Sequence, residues 1–200
     1  MKKSLLILLC CFSYLLPSPL SEGAGVRLLA QNATTLYEQG KKLYDEEKYA
    51  EAFPKLKAAA EKGHKKAQYR LGRCYDKGKG VEEDNEQAFK WYKKAADQDY
   101  AKGLYQVGKC YKDGKGVPKD KKKAFTFFQK AANQQNSDAE LALGKAYMKG
   151  KGTAADQAKA KKFLKRAFNN PKGGPDLLKE VQSDAAMGDA DAKKILTLIK

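Results

Sequence analysis

The sequence predicts an all-α protein, a solenoid of antiparallel helix pairs, and three observations carry that prediction. An eleven-residue string returns twice: LGRCYDKGKGV at 71–81, VGKCYKDGKGV at 107–117 and LGKAYMKGKGT at 143–153. Gly72, Gly108 and Gly144 thus stand 36 residues apart, the length of a two-helix repeat. The apolar residues within each copy fall at helical intervals, Tyr69, Gly72 and Tyr75 on one segment and Ala88, Trp91, Tyr92 and Ala95 on the next, so each unit is a helix pair. A composition of 42% hydrophobic and 32% charged residues in a chain of 200 suits one modest domain or a short repeat array.

Residues 1–30 differ from the rest and read as a secretory signal peptide. MKK gives a basic start, SLLILLCCFSYLL an apolar run too short to span a bilayer comfortably, and PSPLSEGAGV a helix-breaking exit. Its cleavage site is open between the small pair Gly23 and Gly25 and the Ala30–Gln31 bond, and maturation near Gln31 is preferred. Leu9 and Cys10 are larger than the small residue expected before a lipidated cysteine, so lipid anchoring through Cys10 or Cys11 is not expected. Export to the periplasm or out of the cell follows, with no transmembrane span left after processing. Cutting after Ala30 removes three basic residues and one acidic one, leaving about +14 of the net charge of +16. Charge of this size favours encounter with acidic proteins, anionic glycans, nucleic acid or membrane surfaces without choosing among them.

The array proper begins with a helix pair at 31–66 and continues as repeats at 67–102, 103–138 and 139–170. Ala88, Ala124 and Ala160 align in the three repeats, as do Trp91, Phe127 and Phe163. Gly78 and Gly80 follow a first helix where the chain must reverse through left-handed conformations, and Val81 packs back on the helix end. Asp84, Asp120 and Asp156 stand where an N-cap belongs. Cys74 and Cys110 hold the same place in successive copies. Equivalent positions in stacked repeats lie on the order of 10 Å apart, beyond the ~7 Å Cα limit for a disulfide, so both read as small buried packing residues. PKGGP at 171–175 breaks the array, and residues 171–200 hold two further amphipathic stretches that read as a helical cap. Whether those helices only cover the last repeat or also enter its groove stays open.

AQYRLGRCYDKGKGVEEDNEQAFKWYKKAA closely resembles the Sel1-like repeat, a subfamily of the tetratricopeptide superfamily. The resemblance covers roughly residues 64–169. Upstream, YEQGKKLYDEEKYAEAFPKLKAAAEKG has the shorter helix connection of an ordinary tetratricopeptide repeat, with Gly40, Ala52, Leu56 and Ala59 in that family's signature places. The resemblance implies a right-handed superhelix of helix pairs. It also implies a glycine after each second helix, which survives at Gly63 but is replaced by Asp99 and Gln135.

No chemistry emerges from the residues. A phosphate loop needs a preceding strand, longer glycine spacing and a Lys-Ser or Lys-Thr pair, none of which KGKGV offers. One histidine, His64, and two mature cysteines a repeat apart give neither zinc-ligand spacing nor a Cys-His pair. Of the clustered carboxylates Glu82, Glu83, Asp84 and Glu86, only Asp84 returns in later copies, where Pro118, Lys119, Ala154 and Ala155 take the places of Glu82 and Glu83, as suits a solvated helix start. Some secreted relatives of this repeat family handle beta-lactams, but no serine nucleophile with its lysine is apparent. No enzyme activity, cofactor or metal is expected.

What remains is surface. The resemblance implies that the first helix of each pair lines a concave face. The positions it assigns to that face include Tyr37, Tyr69, Tyr105 and Leu141, each four residues before Lys41, Arg73, Lys109 and Lys145. One turn apart on a helix, each residue of the first row shares a face with its cation. Lys66, Lys102 and Lys112 add charge, and Tyr44 and Met148 add apolar contact. A groove of this kind suits an extended acidic peptide or a free carboxylate. Two readings of the tyrosines stay open, ligand contacts or core between helices, and the cations are equally compatible with a wet surface. The expected function is noncatalytic protein binding by a monomer. The alternative is polyanion or envelope-surface binding through net charge, and no nucleic-acid partner is expected.

Overall fold

The computed structural model describes residues 19–200, with side chains described from residue 32. Most of the signal-peptide segment lies outside the described residues. Ten helices and no strand occur among them: α1 Pro19–Asp45, α2 Tyr49–Glu61, α3 Lys65–Lys77, α4 Asn85–Asp97, α5 Ala101–Asp113, α6 Lys121–Asn133, α7 Ser137–Lys149, α8 Gln157–Asn169, α9 Gly174–Ala186 and α10 Ala190–Ile199. α1 begins at Pro19, in the stretch read from the sequence as helix-breaking. Its described inward face starts at Ala33.

Local chemistry sets the boundaries. Asp84 accepts from the backbone N–H of Glu86 and Gln87, and Asp120 and Asp156 accept from Lys123 and Lys159. Each satisfies amides that the helix leaves unpaired, which stabilises a helix start by about 1 kcal/mol. Gly78, Gly114 and Gly150 end the first helices in the left-handed region. After the second helices Gly63 holds a φ of 85°, while Asp99 and Gln135 make the same turn at 53° and 58°. Without glycine the left-handed turn costs roughly 1–2 kcal/mol at each, and packing of the flanking helices must offset it.

Helices pair within each repeat, α3 on α4, α5 on α6 and α7 on α8, and each second helix also packs on the first helix of the next. Gly72, Gly108 and Gly144 sit under Tyr92, Phe128 and Leu164, where an added Cβ would lie 2.6 Å from the side chain above. This close approach explains why a residue that costs a helix about 1 kcal/mol recurs in its middle. The second loop glycine serves contact between repeats: a Cβ on Gly116 would fall 2.0 Å from the carbonyl oxygen of Asn85, at the start of α4. Gly80 and Gly152 meet Tyr49 and Lys121 in the same way.

Aromatic rings also tie successive repeats together. Phe53–Tyr75, Phe89–Tyr111 and Phe125–Tyr147 meet edge to face at centroid distances of 5.6, 5.5 and 5.3 Å, a geometry that adds stability beyond area burial. Tyr111 then stacks on Phe127, and Tyr147 on Phe163. Cys74 and Cys110 are free and buried in different core clusters, and burial pushes both thiols up to about 11.

At the far end α9 packs on α8 and α7, and α10 packs on α9 and α8. Leu177, Val181, Ala192 and Ile195 share one core cluster with Leu164 and Phe168. The last two helices therefore cover the apolar face of the final repeat. Toward the groove, α10 presents Asp191, and the charge of Glu180 on α9 reaches Tyr105.

Candidate peptide-binding face

The four cations of the repeating row lie on α1, α3, α5 and α7; Lys41, Arg73 and Lys109 are half-buried and Lys145 is exposed. Lys66, Lys102 and Lys112 are exposed. The apolar half of the expected groove is placed deeper. Tyr37, Tyr44, Leu141 and Met148 are buried in the core, and Tyr69 and Tyr105 are partly buried. Lys109 lies over the ring of Tyr105, one turn away, at 5.8 Å. Arg73 instead lies over Tyr44, at 5.9 Å, and Arg70 covers the same ring at 5.2 Å while pairing with Asp45 at 3.2 Å. These tyrosines act largely as platforms that hold the cations.

The face opens into a cleft of about 390 Å³ between α5 and α7. Ala124, Phe125 and Phe128 of α6 line it together with Leu141, Ala142 and Ala146 of α7. Around them stand Lys112, Lys119, Lys121, Lys145, Lys149 and Lys151, against Asp113, Asp138 and Asp191. The wall is thus apolar and the rim carries a surplus of three positive charges. Tyr105 contributes a hydroxyl whose pKa burial pushes up, with Asp138 and Asp113 adding to the rise; it stays a hydrogen-bond donor in neutral solution. Low-dielectric walls beneath one sign of charge concentrate the field on an incoming anion.

Of the thirteen face residues named from the sequence, Tyr105, Lys112, Leu141 and Lys145 line this cleft. Tyr37, Lys41, Tyr44, Lys66, Tyr69, Arg73, Lys102, Lys109 and Met148 lie outside it. Lys119, Lys121, Lys149, Lys151 and Asp191 were not legible as cleft residues from groove positions alone. A signal for the cleft was nonetheless present in the repeat register. One repeat upstream, the places of Phe128, Leu141, Ala142 and Ala146 are held by Tyr92, Tyr105, Gln106 and Cys110. All four residues are smaller downstream, which opens space between α5 and α7.

Among the described residues no group of three His, Cys, Asp or Glu side chains is placed to hold a metal, and no helix is long and apolar enough to cross a membrane. The ten paired helices and the open, charged face define a helical-repeat protein of the kind that serves as an interaction scaffold. The Sel1 repeat model matches residues 65–100, 101–136 and 137–170, more than half of the chain, and the protein belongs to the Sel1 repeat family, whose members are typically noncatalytic protein-binding scaffolds. A crystal structure of a Sel1 repeat protein from Oxalobacter formigenes is similar at 30% identity and a TM-score of 0.63, over 78% of this chain and 72% of that one. The protective antigen c5321 of uropathogenic Escherichia coli, which displays the same repeat fold, matches at 26% identity and a TM-score of 0.69. That match covers 87% of this chain but 40% of the antigen, so this chain spans well under half of it. None of the curated proteins matches the chain.

Proposed function

We propose that the protein is an exported, monomeric, noncatalytic scaffold that binds an acidic or carboxylate-bearing peptide segment on its basic face. The observation that carries this reading is the cationic row Lys41, Arg73, Lys109 and Lys145 leading to a cleft with six lysines around an apolar wall. Lysine and arginine bind carboxylates through charge-assisted hydrogen bonds, and apolar residues beside them take a ligand's neighbouring side chain. Export rests on the basic, apolar and small-residue order of residues 1–30, and resemblance to a protective antigen is in keeping with it.

A second reading has its own support in the net charge of +16: binding of polyanions or envelope surfaces through the general positive field. Steep loss with salt and indifference to partner sequence distinguish it. Affinity capture from cell-envelope and secreted fractions compares the mature protein with its Lys41→Glu, Arg73→Glu, Lys109→Glu, Lys145→Glu variant. Discrete proteins held at high salt by the wild type alone are expected. Retention of the same proteins by both would contradict a role for the row, and polyanions alone, washed off by salt, would favour the second reading.

A further inference from the structure

The cleft between α5 and α7 is edged by a carboxylate from outside both helices. Asp191 belongs to α10, beyond the repeats, yet its side chain lines the cleft and pairs with Lys149. That hydrogen bond, the Lys149 charge and the further attraction of Lys145 and Lys151 hold the carboxyl below its ordinary range. Three lysines of the rim therefore act on one internal anion.

The fold does not need this carboxylate to begin α10. Asp189 caps that helix, accepting from the N–H of Ala192, and buried Ala192 and Ile195 anchor it to the core. Asp191 sits in the first turn, where a negative charge also suits the helix dipole, but its side chain is 46% exposed. Exposed ion pairs are weakly held and readily exchanged for another partner. The contact is strong enough to place a carboxylate and too weak to keep a better one out.

We propose that this cleft is the anchoring site for a carboxylate carried beside an apolar side chain, and that Asp191 is the resident carboxylate that such a ligand displaces. The proposal rests on the acidic-peptide reading above and narrows it to one place. The ligand's apolar side chain lies on Phe128, Leu141 and Ala142, and its carboxylate takes the lysines that Asp191 holds in the free protein. Competition for the site makes Asp191 a built-in brake on affinity.

The test titrates a fluorescein-labelled octaglutamate peptide ending in phenylalanine into the full chain, with Asp191→Asn and Leu141→Tyr/Ala142→Gln variants beside it. Asp191→Asn keeps the side-chain size and is expected to bind roughly two- to fivefold more tightly, the scale of one exposed ion pair. Leu141→Tyr/Ala142→Gln restores the larger side chains of the repeat upstream and is expected to lose binding while melting as a folded protein. If the wild type binds but Asp191→Asn binds equally or less tightly, displacement is overturned and acidic-peptide binding stands. Binding unchanged in the refilled cleft overturns the location. No binding by wild type or by Asp191→Asn overturns the acidic-peptide reading itself.

Discussion

His64 joins helix chemistry and titration in one side chain. Its Nδ1 accepts a hydrogen bond from the Ala67 N–H at 3.2 Å, capping α3, and its ring stacks on Tyr37 with centroids 4.4 Å apart. The capping role requires the neutral ring: a protonated Nδ1 cannot accept. Burial, and next the Lys66 charge, lower its pKa below the ordinary 6.5. The unfolded chain therefore binds this proton more readily than the folded one. The stabilisation is complete above about pH 6.5 and is lost as pH falls through the lowered folded value. Urea midpoints are expected to fall from about pH 7 toward pH 5, and His64→Asn, which retains a cap, is expected to flatten that decline. An identical decline in the variant would remove His64 from the account. The sequence placed His64 at the turn into a repeat. Its partner Tyr37 lies 27 residues away on α1, and only the packing of α1 on the following pair brings the two rings together.

Between elements, the two loop glycines have different tasks. Gly114 ends α5 at a φ of 77°, and the nearest atom to an added Cβ would be 3.4 Å away. Alanine there meets chiefly backbone strain, about 1–2 kcal/mol. Gly116 combines a φ of 65° with the approach of the Asn85 carbonyl, so alanine must also push one repeat off the other. Gly116→Ala is expected to destabilise the array by about 1–3 kcal/mol more than Gly114→Ala in urea unfolding; equal losses would mean that the loop does not dock. The KGKGV recurrence identified both glycines as turn residues, but the contact of the second belongs to the preceding repeat and left no local mark. A further tie was hidden for a related reason. The Gln98 amide donates to the Gly63 carbonyl and to Gln68, and 72 residues on, Asn170 donates to the Gln135 carbonyl and to the buried Glu140, which also receives Arg166 at 2.7 Å. Leu104 holds the intervening place of Gln68 and Glu140. The polar tie thus skips a repeat, and a 36-residue comparison reads it as surface variation.

Over the whole molecule, periodicity made the repeat architecture legible because the three 36-residue units repeat the same intimate contacts: small residues under large ones, an aspartate at the start of α4, α6 and α8, rings bridging neighbours. The candidate site was legible to a smaller degree, because a site is made where the repeats differ. The cationic row could be read from α1, α3, α5 and α7, whereas the cleft depends on four side chains that shrink between consecutive repeats and on Asp191 of α10, outside the repeats. Repeat spacing placed Tyr37, Tyr44 and Met148 on the groove side and left the tyrosines open between ligand contact and core; the side chains of all three are buried. The central claim is that an ordered basic face, not bulk charge, selects the partner. Its most direct measurement is the dissociation constant of the phenylalanine-terminated octaglutamate peptide at low and physiological salt. The mature wild type is compared with the fourfold glutamate variant of Lys41, Arg73, Lys109 and Lys145, both verified as helical by circular dichroism. The account predicts binding by the wild type that persists at physiological salt and is lost in the variant at both salt concentrations. Equal affinities for the two proteins, or wild-type binding that vanishes at physiological salt, would contradict it.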